Sequence, residues 1–391
     1  MLLKTDMKKI LIVNNNMHIG GIQKSLLNLV CALKDKYDIT LMLFCDIGEL
    51  LEFVPKEVKI LHGNIFLKTL GMTNDEAKRS GFLTYALRSA FTVMTRIFKT
   101  KFTFNLISKF QKLNGEYDCA VSFMQNGCET YFYGGCAEFV LKSVKSKNKL
   151  CYLHCDFLNY GGNTKYNCDT LRKFDKIAVV SNSVGEKLLE AMPDVKNKVY
   201  TSCNFMNYDE IDVLKNEYKP NLDKSKINIF TAARLRHEKG ILRMMPIFKN
   251  IKEKNKNFVW YVAGDGPDRE TAEKLLKEYD LFKNVVFLGN LVNPYPYFYN
   301  CDILLVPSYD EAAPMVFYES VYLGTPVFTT DTTSAREMIE SIDAGWVCEN
   351  NDEKIEENLL KIIDGFKAKN LVKADLNNNK ASLQFEKLVG K

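Results

Sequence analysis

The sequence predicts an α/β fold made of two Rossmann-like, doubly wound parallel-sheet halves. Three observations carry that expectation: chain length, alternation of short apolar runs with helical patterns, and one polar stretch near the middle. At 391 residues the chain is too long for one ordinary core and suits two domains of nearly 200 residues each. Apolar runs of four to six residues separated by helical periodicity read as strands buried on both faces, the habit of parallel sheets.

In the first half, a strand at 9–13 leads into a turn at Gly20 and Gly21 and then a helical pattern over 22–33. Further strands are expected at 39–44, 119–123, 150–153, 177–180 and 198–201. The second half repeats the rhythm, with strands at 227–232, 258–262, 285–288, 303–306, 326–329 and 346–348, and helices at 268–279 and 316–323. Residues 204–224 are polar, with Asn204, Asn207, Asn216, Asn221 and Pro220 and no sustained periodicity, which predicts a boundary. The expected division is therefore a first domain at 1–204, a linker at 205–224, a second domain at 225–374 and a helix or tail at 375–391. Ligands of such sheets bind beyond the carboxyl ends of the strands, so two facing halves predict a central cleft.

Hydrophobic residues at 46% and charged residues at 26% suit a globular protein rather than a disordered or membrane-spanning chain. The apolar run at 10–13 stops at Asn14, Asn15 and Asn16, too short for a secretory segment. Eleven cysteines without paired CxxC spacing suit reduced thiols, and with the missing export signal they predict a cytoplasmic protein. Cys151, His154 and Cys155 lack a second ligand pair at zinc-like spacing, so no metal is expected.

Candidate chemistry concentrates in the second half. After the strand at 303–306 the chain reads PSYDEAAPMVFYES, with Pro314 fitting a first helical position. Glu311 then lies just before the helix and Glu319 in its second turn, near the unpaired amides of Ala313, Met315 and Val316. A helix start can hold a diphosphate while carboxylates accept sugar or ribose hydroxyls. The same acids would serve equally as helix caps. In TAARLRHEKG, Arg234 and Lys239 occupy the loop after a strand, and a guanidinium with an ammonium suits two adjacent phosphates without a divalent metal. Loops of this composition are also commonly just solvated. The turn AGDGP at 263–267 reads as structural, and GxGxxG is absent, which counts against a dinucleotide dehydrogenase.

Five blocks in order, ARLRHEKG, AGDGP, VVFLG, VPSYDEAAPMVFYES and LGTPVF, resemble the retaining glycosyltransferase family 4 of the GT-B fold, the group 1 glycosyltransferases of capsular, exopolysaccharide and lipopolysaccharide synthesis. The resemblance spans about 100 residues of the second half and is thin in the first. It implies that Arg234 and Lys239 grip the donor diphosphate and stabilise the leaving group, that Glu319 binds ribose and that Glu311 meets the donor sugar. Ala312, Ala313, Pro314, Met315 and Val316 would complete the donor site, with Leu288 and Gly289 near the base. In HIGGIQKS, Gly20 and Gly21 match the glycine turn facing the phosphates, and His154 in CYLHCD matches a histidine near the reacting sugar. Glu337 matches a later family glutamate whose role stays open. Ala233 and Ala312 stand where the family has glycine, which implies a slightly altered pocket. The implied reaction is retaining transfer from a nucleotide diphosphate sugar, most readily a UDP-sugar, with no cofactor and no carboxylate nucleophile.

Between Lys68 and Lys112, nine basic residues face two acids, a larger excess than the +5 of the whole chain. They interleave with Phe82, Phe91, Phe98, Phe102 and other apolar residues, a mix suited to the surface of an anionic membrane and to a lipid-linked or other saccharide acceptor. The same mix would also arise if the aromatics closed the first core. No nucleic-acid recognition motif is present. The competing functions are a nucleotide-sugar epimerase of the same fold and a non-catalytic nucleotide-binding protein.

Overall fold

The computed structural model describes residues 7–254, 257–365 and 376–390. They divide into two compact units, Met1–Met206 with Asn378–Lys391, and Asn207–Asn377. The expected second-domain end at 374 lies outside the described residues.

The first unit holds a seven-stranded sheet of order β3-β2-β1-β4-β5-β6-β7, every pair parallel. Its strands are β1 (Lys9–Asn14), β2 (Asp38–Leu43), β3 (Lys59–His62), β4 (Glu116–Ser122), β5 (Lys145–Leu153), β6 (Lys176–Val179) and β7 (Val199–Thr201). The central strands are buried on both faces; Ile10, Ile12, Leu41, Val121 and Leu150 join a core under the helix Gly21–Leu33. β3 was not expected: KILH is an edge strand with no fully buried residue, so it lacks the apolar run that marks the others.

The second unit holds a six-stranded parallel sheet of order β10-β9-β8-β11-β12-β13. Its strands are β8 (Ile227–Ala232), β9 (Phe258–Ala263), β10 (Val285–Gly289), β11 (Ile303–Val306), β12 (Val327–Thr330) and β13 (Gly345–Cys348). Chain order reverses between β8 and β11, and in the first sheet between β1 and β4. These are the points where connections leave in opposite directions and open a crevice at the strand ends.

Of the two polar stretches, the expected linker folds in part, and the C-terminal one takes the helical form of its two expected outcomes. Within the expected linker, Tyr208–Leu214 is a helix started by Asn207, whose side chain accepts from the Glu210 amide. The C-terminal stretch forms the helix Asn379–Val389, which packs with the first unit: Phe385 lies edge-on to Tyr37 at 5.8 Å, and Lys176 Nζ donates to the Leu388 carbonyl at 2.8 Å.

The basic segment is largely the helix Phe82–Ile107, broken at Lys99, whose φ of 66° no ordinary helical residue adopts. That conformation costs about 1–3 kcal/mol for a residue with a Cβ. The Thr100 amide, taken out of the helical ladder, donates to the Glu129 carbonyl at 2.8 Å instead. Arg88, Phe91, Thr95, Phe104 and Ile107 are buried, while Ile97, Phe98 and Phe102 are exposed. Part of the segment therefore closes the core and part faces solvent.

Candidate functional site

The candidate residues of the second unit meet along the carboxyl ends of β10, β9, β8 and β11, which are neighbours in that order. From β10, the Gly289 carbonyl accepts the Gly264 amide at 2.7 Å. Gly264 and Gly266 at the end of β9 then press onto the segment after β8. A Cβ on Gly264 would stand 1.9 Å from the Ala233 carbonyl oxygen, and one on Gly266 would stand 2.3 Å from that of Leu235. The Leu235 amide donates to the Asp265 carbonyl at 2.9 Å and the Asp268 amide to the Leu235 carbonyl at 3.1 Å. AGDGP thus fixes the backbone on both sides of Arg234, whose side chain is exposed at the strand ends. The glycine of the family at position 233 is not needed for this packing, since the contact is made by the Ala233 carbonyl.

The next contact crosses the switch point. Gly240 has φ of 69°, and a Cβ there would stand 2.0 Å from the Pro307 carbonyl oxygen, so only glycine lets the loop after β8 touch the loop after β11. That approach carries Lys239 to Glu311: Nζ donates to Oε1 at 2.5 Å. Ser308 Oγ donates to the same oxygen at 2.9 Å. Oε2 stays available to hydroxyl donors, and an ammonium with three N–H groups keeps two for a second anion.

The β11 loop is braced from behind. The Tyr309 amide donates to the Glu238 carbonyl at 2.9 Å, His237 stacks on the Tyr309 ring at 4.8 Å and the Arg243 guanidinium covers it at 4.1 Å. Arg243 is in turn held by Asp352 at 2.7 Å and by Asn350 at 2.7 Å, while Asn350 Nδ2 donates to the Tyr309 carbonyl at 2.9 Å.

The helix Met315–Leu323 starts one residue before the expected 316, and Pro314 is its extended N-cap rather than its first helical residue. Ala312, Ala313, Pro314 and Val316 are partly exposed at its start, and Met315 is buried. Glu319 points inward, 8% exposed, and accepts from Tyr295 Oη at 3.2 Å. Burial, and secondarily the Glu319 charge, raise the Tyr295 phenol far above its usual range, so it remains a donor. Leu288 and Gly289 are partly exposed at the end of β10.

Gly20, Gly21 and His154 belong to the first unit, the other candidate residues to the second. Gly20 has an extended backbone with φ of −174°, and a Cβ on Gly21 would meet nothing within 4 Å. A Cβ on Gly20 would stand 2.8 Å from Gln23 Oε1, so that side chain would have to shift, whereas packing at Gly21 leaves room for a Cβ. His154 follows β5, its ring 4.6 Å from Phe123 and 5.6 Å from Tyr152. Its Nε2 is shielded from solvent without a hydrogen-bond partner among the described residues. Burial drives the imidazole pKa from 6.5 down to about 3, against a bond to the Phe123 carbonyl that would raise it, so the ring is neutral near pH 7.

Tyr295, Ser308, Tyr309 and Arg243 were not singled out from sequence. The repeated aromatics of NPYPYFYN were the available signal for Tyr295; nothing local marked Ser308 or Arg243. Among the described residues no group of three His, Cys, Asp or Glu side chains is placed to hold a metal ion.

Residues 212–375 match the family model described as glycosyl transferases group 1. The chain is 25% identical over 200 residues to the capsular polysaccharide biosynthesis glycosyltransferase CapM of Staphylococcus aureus, covering 48% of this chain and 52% of CapM. It is 28% identical over 176 residues to the uncharacterized glycosyltransferase MJ1059 of Methanocaldococcus jannaschii, covering 43% of each. The chain spans about half the length of the curated relatives it matches. In fold it is similar to a mutant of S. aureus TarM in complex with fondaparinux, alpha-GlcNAc-glycerol and UDP, with TM-score 0.67, 13% identity, and 98% of this chain and 100% of that one covered. It is also similar to Anabaena HepE in complex with UDP and glucose, with TM-score 0.65, 14% identity, and coverage of 97% and 95%. The two parallel-sheet units thus have the GT-B fold of these glycosyltransferases.

Proposed function

We propose, from the match of residues 212–375 to the group 1 glycosyl transferases, that this chain is a retaining, metal-independent glycosyltransferase. It moves a sugar from a UDP-sugar to a saccharide or lipid-linked saccharide in cell-surface polysaccharide assembly. The observation that carries the reading is the Lys239–Glu311 pair, 2.5 Å apart at the switch point of the second sheet, on the same loop after β8 as the exposed Arg234.

In this reading Arg234 and the two unused N–H groups of Lys239 hold the diphosphate and offset the charge that grows on it as the glycosidic bond breaks. Ser308 and Lys239 orient Glu311 so that its second oxygen accepts donor-sugar hydroxyls. Glu319, steadied by Tyr295, accepts the ribose hydroxyls. Ala312, Ala313, Pro314, Met315 and Val316 line the helix start, Leu288 and Gly289 lie toward the base, and Gly20, Gly21 and His154 keep the roles the resemblance assigns them. Glu311 is engaged by an ammonium and a hydroxyl, which suits a binding group better than a nucleophile. The complexes of HepE with UDP and with UDP-glucose support a uridine donor, and the capsular role of CapM and the O-antigen role of Escherichia coli WclY support a surface polysaccharide.

A panel of UDP-glucose, UDP-galactose, UDP-N-acetylglucosamine and GDP-mannose, scored by nucleotide release with saccharide and lipid diphosphate acceptors, tests the proposal. Acceptor-dependent UDP release that Arg234→Ala abolishes supports transfer. Conversion of donor without UDP release shows an epimerase, and no donor turnover or binding at all returns the chain to a non-catalytic role.

A further inference from the structure

Away from the candidate site, the first unit carries a groove of about 380 Å³ lined by Phe98, Lys101, Phe102, Asn105, Leu106, Lys109 and Lys142. Three of the seven are cationic and none is acidic. The imbalance extends beyond the groove: between Glu76 and Glu116 the chain has eight Lys or Arg and no Asp or Glu. Lys142 comes from a different helix, Cys136–Ser143, so the cations converge by folding and not only by sequence. Lys109 and Lys173 lie close enough to Lys142 to disfavour its charge, after burial as the larger cause.

The apolar side of the groove is as unusual as the charged side. Phe98 is 58% exposed and Phe102 51%, with their rings 5.4 Å apart. Ile97 beside them is 63% exposed. The break at Lys99 lies within this cluster and ends the first helical run just past Ile97 and Phe98. Asn105 at the floor donates to Tyr166 Oη at 3.1 Å, which donates to the buried Glu138 at 2.7 Å, so the floor is anchored while the rim is open. Among the described residues no helix is long and apolar enough to cross a membrane.

We infer that this groove docks the chain on an anionic phospholipid surface, with Lys101, Lys109 and Lys142 on headgroup phosphates and Ile97, Phe98 and Phe102 inserted among the upper acyl carbons. Charge complementarity selects the occupant: an apolar protein partner would leave three lysines without counter-charge, whereas a phosphate-bearing bilayer matches lysines and aromatics together. The inference deepens the proposed use of a lipid-linked acceptor but does not depend on the donor site, since no residue of the groove belongs to it.

The full chain is sedimented with vesicles of phosphatidylcholine alone and of phosphatidylcholine mixed with phosphatidylglycerol, with UDP binding measured on the same preparations. Binding is expected only to the mixed vesicles and to weaken as salt rises. Replacing Lys101, Lys109 and Lys142 together by Gln lowers the partition coefficient about 100-fold, about fivefold per lysine. Phe98→Ser with Phe102→Ser lowers it at least tenfold, and both variants keep wild-type UDP affinity. Equal binding to both vesicle types, or wild-type partitioning of either variant, overturns the inference. So does displacement by inorganic phosphate at constant ionic strength, which points to a free-phosphate site, or a concentration-dependent dimer that the Phe variant abolishes. Absence of UDP binding with vesicle binding intact refutes the donor reading alone.

Discussion

Replacing Lys239 by Met removes one charge from a pair that spans the switch point, and its consequences for stability and for turnover separate cleanly. The Lys239 and Glu311 side chains are 27% and 12% exposed, between an open surface pair and a sealed one. Exposed pairs contribute up to about 1 kcal/mol and breaking a sealed pair costs about 3–5 kcal/mol. With Ser308 still donating to Glu311, a loss of about 2 kcal/mol is expected, which lowers Tm by about 4–8 °C for a domain of this size. Glu311→Gln added to Lys239→Met removes the stranded carboxylate and returns most of that stability, because a neutral amide can keep the Ser308 contact. Turnover behaves differently. A cation on the departing diphosphate is worth about 100- to 1,000-fold in kcat, and the double variant recovers none of it. Thermal unfolding and UDP-release rates on the two singles and the double form the required cycle. Near-normal turnover of Lys239→Met, or recovery of turnover in the double variant, would refute the reasoning.

Gly240→Ala forces a Cβ to within 2.0 Å of the Pro307 carbonyl oxygen, whereas Gly324→Ala has the same left-handed backbone but nothing within 4 Å. Circular-dichroism melts should show about 1 kcal/mol lost at Gly324 and several times that at Gly240, with activity falling only in the latter. Tyr295→Phe removes the donor to Glu319 and should raise the KM for a UDP-sugar about tenfold with little change in kcat, at the scale of one hydrogen bond to a charged group; an unchanged KM contradicts the ribose assignment. His154 has a folded pKa of about 3 against 6.5 when unfolded, so below pH 6.5 the unfolded chain binds a proton that the folded one refuses. The stability this neutral ring contributes is present above pH 6.5 and is lost as pH falls, about 2 kcal/mol by pH 5. Melts at pH 7 and pH 5 should show that increment in the wild type and its absence in His154→Gln.

Much of this architecture was legible because parallel strands buried on both faces announce themselves as unbroken apolar runs. Ile227–Ala232 and Ile303–Val306 stood out for that reason, and they frame the candidate site. β3 escaped because an edge strand buries too little to need such a run, and Tyr208–Leu214 escaped because a short helix capped by Asn207 has the composition of a linker. The site residues were legible singly. Glu311 and Lys239 are 72 positions apart, and only the adjacency of β8 with β11 makes them partners. Ser308 was invisible for a related reason, and the aromatic run around Tyr295 did not mark its role: a hydroxyl matters here through what it touches, and sequence does not display contacts. The basic segment was ambiguous for a physical cause that the structure makes plain, since it carries both a buried face through Arg88, Phe91 and Phe104 and an exposed one through Phe98 and Phe102.

The central claim is that Arg234 and Lys239 hold a nucleotide diphosphate in place of a metal ion. Calorimetric titration of UDP into the wild type, Arg234→Ala and Lys239→Ala, all in the presence of EDTA, tests it most directly. The account predicts UDP binding by the wild type without metal and affinity at least tenfold weaker in each variant. Binding that appears only when magnesium is restored, or that both variants retain in full, would contradict it.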